Sequence, residues 1–186
     1  MKKVFLALLF AASLFGADVG STEIFAIAFK TAGKLAVPMH FTKHEFTFQS
    51  KSGQVPDILS GASAVVSLNT VDSDRNPLRD KNINEKFFAH FKDKTAKAKI
   101  KSVNGNNRRG SFVADVLING STKELNFDYE VSENKIIAKS NIDLSADFAL
   151  NNAYEAFKTD KIIEGLHGKK TWSDVEIGFE ISVSNL

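Results

Sequence analysis

Apolar and polar residues alternate with a period of two over most of this chain, and that rhythm constrains the fold more than any other feature. Side chains two apart share one face of a strand, so each such stretch is a strand buried on one side. Phe25, Ile27 and Phe29 alternate with Ala26 and Ala28, and Leu35, Val37, Met39 and Phe41 alternate with smaller or polar residues. Phe46 and Phe48 flank Thr47, and Ala62, Ala64, Val66 and Leu68 interleave with Ser63 and Ser67. Ala96, Ala98 and Ile100 alternate with Lys97, Lys99 and Lys101. Phe112, Ala114, Val116 and Ile118 form one row, and Leu125, Phe127, Tyr129 and Val131 form another between acidic and amide residues. Val175, Ile177, Phe179, Ile181 and Val183 close the series. The count is eight or nine short strands.

Asn119-Gly120 sits between two of these rows and predicts a tight hairpin, because both residue types tolerate positive φ. The hairpin explains Asn119-Gly120-Ser121 better than a glycosylation acceptor does. Asn104 to Asn107 marks a second turn. Two segments break the rhythm. Arg79 to Phe91 spaces Ile83, Phe87, Phe88 and Phe91 at roughly helical intervals, and Ala146 to Leu166 does the same with Phe148, Tyr154, Phe157 and Ile162. Strands with one or two short helices and no βαβ rhythm predict an all-β fold with minor α, an antiparallel sheet closed on itself so that it has no exposed edge.

The chain opens with Lys2-Lys3, an apolar run from Val4 to Phe15, then Gly16-Ala17. This has the order of a secretory signal and is too short to span a bilayer. The expected division is a cleaved leader over 1–16 and one domain over 17–186. Without Lys2 and Lys3, 22 Lys and Arg face 22 Asp and Glu, so nothing basic remains to argue for nucleic acid. No later apolar run reaches 18 residues, so no transmembrane anchor is expected. The expectation is export, to the periplasm if the cell is Gram-negative. The absence of cysteine removes disulfides, Cys-ligated metals and a thiol nucleophile.

Ser67-Leu68-Asn69-Thr70, then Arg79-Asp80, Ile83 and Phe87-Phe88, come in the order of a strand ending in Thr, an Arg-Asp pair and a Phe-Phe. Val113 to Leu125 follows as a hairpin, with Gly120 to Lys123 at its turn. Asp147-Phe148 and the closing strand from Trp172 to Ile177 come next, while Phe29-Lys30-Thr31 and Phe41 lie where an early strand pair belongs. In this order the sequence resembles the YceI-like family of secreted bacterial proteins. It departs at Ser145, where the family has Arg, at Ala149 after Asp147-Phe148, where it has Gly, and at His40, where it has Gly. The resemblance implies a lipocalin-like up-and-down β-barrel of about eight strands. It also implies an apolar cavity for a polyisoprenoid, an isoprenoid quinone or a fatty amide. Arg79 and Asp80 match its motif, and their first expected role is to pin the fold.

Catalytic and metal signatures are sparse. His40 and His44 on one extended strand would stand about 13 Å apart, and His44-Glu45 lacks the second His of a zincin. Surface or core-edge histidines are the better reading, and no metal site is expected. There is no nucleophile elbow and no phosphate loop. Asp72, Asp74 and Asp80 near Arg75 and Arg79 fit a loop tied by Arg–carboxylate bonds better than a desolvated catalytic carboxylate. The Lys97-Lys99-Lys101 stripe fits a solvated outer face better than steering toward anionic headgroups.

The phenylalanines carry the strongest functional lead: sixteen stand against one Trp and two Tyr. Small inward residues at Ala62, Ala64, Ala96, Ala98 and Ala114 leave lengthwise space for one slim ligand, against the alternative of a filled core. At ~0.8 kcal/mol per buried methylene, about fifteen methylenes give about 12 kcal/mol gross, from which association costs subtract. The expected wall is Phe41, Phe46, Phe48, Val66, Leu68, Phe87, Phe88, Phe112, Phe127, Phe148 and Trp172. The expected function is a periplasmic carrier for an amphiphilic isoprenoid, quinone or fatty chain, with no catalytic residue. Its partners are that ligand and, as a further expectation, a second copy of the chain. An enzyme or accessory acting on a lipid or quinone, marked by a buried carboxylate or His at the cavity base, is the first alternative. A filled-barrel interaction protein, marked by an exposed apolar patch and no void, is the second.

Overall fold

The computed structural model describes residues 16–185, so the leader expected over 1–16 lies outside the described residues apart from Gly16. In chain order the elements are β1 (Ala17–Lys30), β2 (Leu35–Phe41), β3 (His44–Thr47), β4 (Ser52–Gly53), α1 (Val55–Leu59), β5 (Ser63–Ser67) and β6 (Val71–Asp72). Then follow α2 (Pro77–Lys86), β7 (Thr95–Gly105), β8 (Arg109–Ile118), β9 (Ser121–Ser132), β10 (Lys135–Asp143), α3 (Asn151–Thr159), α4 (Lys161–His167) and β11 (Asp174–Ser184).

The strands pair in the order β3-β5-β7-β8-β9-β10-β11-β1-β2-β6, every pair antiparallel, with β4 added to the start of β1. The two ends of this path meet. β2 runs into β3 across Thr42-Lys43, and β5 runs into β6 through a 3-10 turn at Leu68–Thr70. At that corner Thr42 N–H donates to Thr70 O (3.1 Å), and Ser67 N–H donates to Lys43 O (2.9 Å). Two strands of the barrel are therefore each broken into two pieces. The ten strands on the path form the eight staves expected of a curled, lipocalin-type sheet. Where β3 leaves β1, His44 spans the gap: its Nε2 lies 2.9 Å from Thr22 O and its Nδ1 2.8 Å from Phe41 O.

Four local differences from the sequence reading have physical causes. On β1 the inward row is Ile24, Ala26 and Ala28, not the Phe25 row. Phe25 pairs with Gly178 and lies across it, where a methyl group would strike the Phe25 ring, and Lys139 sits 6.0 Å above that ring on the outer face. β10 was not expected, because its inward row of Ile136, Ala138, Ser140 and Ile142 is interrupted by the outward Ile137. The five-residue α1 is too short to show a helical period. The expected helix over Ala146–Leu166 is two helices split at Asp160, whose carboxylate caps α4 by accepting from Ile162 N and Ile163 N. Asn119-Gly120 makes the expected turn, with φ of 52° and 75°.

One end of the barrel, the base, is solid. Val55, Ile58 and Leu59 of α1 are fully buried there beside Ile100, Phe112, Tyr129, Ile136, Ile181 and Val183. Asn107, in the β7–β8 turn, accepts from Val55 N (2.8 Å), and Tyr129 donates to Asn106 O (2.8 Å). Tyr129 lies against Gly105 and Gly110, leaving no room for a Cβ at either. At the opposite end, the mouth, lie the β1–β2 and β8–β9 hairpins, α2, α3 and α4.

Candidate functional site: an apolar cavity at the mouth of the barrel

The mouth half encloses a cavity of about 350 Å³, at the small end of the range for ligand pockets and suited to a slim occupant. Its width comes from small side chains on the inward rows: Ala26 and Ala28 on β1, Ala64 on β5, Ala96 and Ala98 on β7. Larger residues on other inward rows, Val37, Met39, Val116, Ile118 and Ile177, form much of the remaining wall. Their side chains are apolar, so this part of the wall takes hydrocarbon without desolvating a polar group.

Two aromatic layers bound it. At the floor Phe46 meets Phe179 edge-on at 5.5 Å, and Phe112 stacks between Phe127 (4.9 Å) and Phe179 (5.8 Å). Above, Phe87, Phe88 and Phe91 touch one another at 5.0–5.4 Å, and Phe157 reaches Phe87 at 5.7 Å. Of the expected wall residues, Phe41, Phe46, Val66, Leu68, Phe87, Phe88, Phe127 and Trp172 line the cavity. Three do not. Phe112 lies behind the floor, buried between two rings. Phe48 stacks on Phe46 at 5.6 Å. Phe148 is buried in the connection before α3 with a φ of +55°. Among the small residues, Ala62 and Ala114 belong to the solid base and the other three to the void. Sequence alternation did not single out Leu78, Asn82, Ile163, Leu166 and His167, which reach the cavity from α2 and α4.

Polar groups gather at the mouth. Trp172 donates from Nε1 to Thr31 O (2.8 Å), with Lys170 4.3 Å and Lys34 5.0 Å from its ring. His167 Nδ1 lies 2.7 Å from Thr171 Oγ1. Burial, with a smaller push from Lys30, holds its pKa below the ordinary histidine value of 6.5. Arg79 donates to Ser73 O (3.2 Å), and Asp80 accepts from Ser73 N (2.8 Å) and Ser73 Oγ (2.5 Å). Ser73 is completely buried, so the Arg79-Asp80 pair ties the β6–α2 connection down. Asp72 likewise accepts from Arg75 N (2.7 Å). The rim itself is apolar: Leu35, Leu78, Ile162 and Leu166 are exposed there, and Val65 is the one other large apolar side chain exposed among the described residues.

The departures from the family pattern are visible as structure. Ala149 has a φ of +53°, a conformation that costs a non-glycine residue about 1–2 kcal/mol. Ser145 donates to Asp143 from both N (2.8 Å) and Oγ (2.6 Å). His40 is paired with Glu23 on the outside. The lysine stripe of β7 is exposed, and Lys101 pairs with Glu124 (2.7 Å) and Asp115 (3.6 Å). Among the described residues no three potential ligands cluster to hold a metal ion, and no helix is long and apolar enough to cross a membrane.

A family model described as the YceI-like domain matches residues 19–183. No curated protein matches. Solved structures share the fold. BcnA of Burkholderia cenocepacia is 12% identical with a TM-score of 0.59, over 88% of this chain and 96% of that one. A polyisoprenoid binding domain from Saccharophagus degradans, implicated in plant cell wall breakdown, is 12% identical with a TM-score of 0.57, over 93% and 99%. The YceI protein of Campylobacter jejuni is 16% identical with a TM-score of 0.55, over 81% and 85%.

Proposed function

The chain belongs to the YceI-like domain family, and from that premise and the hollow half of its barrel we propose that it sequesters one amphiphilic chain, an isoprenoid, a quinone tail or a fatty chain. The observation that carries this is a cavity walled by alanine, branched aliphatics and phenylalanine, with its charged lining at the mouth. Burial does the work. Each methylene moved from water to the wall contributes ~0.8 kcal/mol. The tail runs toward the Phe46–Phe179 floor, and the head stays among Lys30, Arg79 and His167. A polyisoprenoid binding domain among the structural relatives supports this ligand class. The secretory order of residues 1–16 supports a periplasmic location for this carrier.

Native mass spectrometry of the exported protein tests it. The expected result is a bound mass that organic extraction releases, and that is missing from Ala98→Phe, which fills the void without adding charge. An empty wild-type protein that also fails to take up a fluorescent prenyl or fatty probe refutes the proposal.

A further inference from the structure

Four of the five large apolar side chains exposed among the described residues stand at one end of the barrel. Leu35, Leu78, Ile162 and Leu166 are 54–66% exposed there. Single exposed leucines are ordinary on a protein surface, but four at one opening are not scattered. Leu78 of α2 and Leu166 of α4 also line the cavity, so they stand at its entrance. Ile162 precedes Leu166 by one turn of α4, and Leu35 starts β2 opposite Lys30. The β1–β2 hairpin is tied to the connection after α4. Thr31 N–H donates to Lys170 O (2.8 Å), and Trp172 Nε1 donates to Thr31 O (2.8 Å). Charge follows the same rim. Residues 30–35 and 161–172 carry five lysines and one glutamate, although Lys and Arg equal Asp and Glu over residues 17–186. Lys34 pairs with Asp174 (2.6 Å), and Asp160, just before α4, is taken by Lys86 (2.7 Å). Lys161, Lys169 and Lys170 are exposed and have no carboxylate partner among the described residues. Leu78 belongs to a neutral stretch, since residues 72–86 hold four cations and four carboxylates.

We infer that this rim docks on an anionic lipid bilayer, its four apolar side chains entering the headgroup layer and its free lysines meeting lipid phosphates. Binding at a bilayer surface draws on buried apolar area and on attraction between Lys and anionic lipid, and the rim offers both. Trp172, within 5.0 Å of Lys34 and Lys170, suits the same depth, because an indole ring prefers the headgroup level. A folded protein fits this rim less well, since lysine is depleted at the core of protein interfaces. Docked this way, the cavity opens onto the bilayer, and a chain passes between the two without crossing water. That passage rests on the carriage proposal; the docking does not.

The test floats the exported, delipidated protein with vesicles of phosphatidylcholine alone, or of equal parts phosphatidylcholine and phosphatidylglycerol. Binding is expected to the anionic vesicles and should weaken as salt rises. Brominated lipid should quench the fluorescence of Trp172, the one tryptophan of the chain. Two double variants alter the rim without changing a cavity-lining residue: Lys161→Glu with Lys169→Glu, and Leu35→Ser with Ile162→Ser. Each is expected to weaken binding to anionic vesicles about tenfold or more. Each should keep the wild-type Tm and the uptake of a fluorescent fatty probe from solution. Arg108→Glu reverses an exposed charge in the β7–β8 turn at the base and should leave vesicle binding unchanged. Equal binding to both kinds of vesicle, binding that survives in either double variant, or equal weakening by Arg108→Glu overturns the inference. Protein that takes up the probe but binds no vesicle overturns docking and leaves carriage standing. Vesicle binding that follows the rim variants without any probe uptake supports docking and refutes carriage.

Discussion

Along β7 the inward row changes from Ala96 and Ala98 near the mouth to Ile100 toward the base, and along β8 from Ile118 and Val116 to Phe112. The two halves of the barrel share strands, alternation and hydrogen bonding. One is a packed core and the other a void. Two things separate them. The base receives α1, which inserts three fully buried aliphatic side chains, whereas α2 and α4 lie at the mouth and leave Leu35, Leu78, Ile162 and Leu166 in solvent. The alanines at 26, 28, 64, 96 and 98 then leave the mouth half unfilled. A hollow barrel is therefore a matter of side-chain volume and end caps, not of a different sheet.

Truncating a large residue in each half gives the widest contrast. Ile58→Ala, at the base, is expected to destabilise by about 3–4 kcal/mol, because it opens a cavity in close packing. Met39→Ala, on the cavity wall, should cost only about 1–2 kcal/mol, since Met39 already faces empty space. Urea unfolding of both variants measures the difference, and equal costs would mean that the mouth half is packed as tightly as the base.

Enlarging a small residue runs the comparison the other way. Ala114→Leu, at the base, is expected to cost about 1–3 kcal/mol through overpacking. Ala96→Leu should leave stability within about 0.5 kcal/mol of the wild type or raise it, while reducing affinity for a fatty probe by about tenfold or more. Unfolding midpoints and probe titrations on the same pair check both statements.

Much of this architecture was legible in the sequence because a half-buried strand writes its burial directly into period-two alternation. The rows on β2, β7, β8, β9 and β11 face inward as that pattern predicts. The pattern fails where both faces are apolar. On β1 the Phe25 row has the larger side chains, but Gly178 gives Phe25 a slot on the outer face, and the smaller Ile24 row walls the cavity. β10 is obscured by the consecutive Ile136-Ile137. The cavity wall was half legible for a similar reason. Alternation tells in from out but carries no information about height along the barrel, so Phe112 and Ala114 could not be separated from Phe127 and Ala98. Asn82 was invisible, since a polar residue on a helix rich in Lys, Asp and Asn reads as surface until the helix is placed.

The two ends also differ in what they titrate, and the effect expected there is the smallest. His167 lies at the mouth, half-buried, with Phe157 5.9 Å away and Thr171 on its Nδ1. Burial first, and Lys30 second, lower its pKa from 6.5. The folded protein therefore prefers the neutral ring, while the unfolded chain takes up a proton at the ordinary value. The stability this contributes is complete above about pH 6.5 and is lost as pH falls through the lower, folded-state value, because the unfolded state then binds the extra proton. His167→Gln keeps a hydrogen-bonding group near Thr171 and cannot titrate. Its unfolding free energy should fall less than that of the wild type between pH 7 and pH 5, whereas a conservative substitution at the base, Ile58→Val, should leave the pH slope unchanged. Identical slopes for wild type and His167→Gln would show that the ring is no more buried than in the unfolded chain, and that its surroundings at the mouth are wetter than their geometry implies.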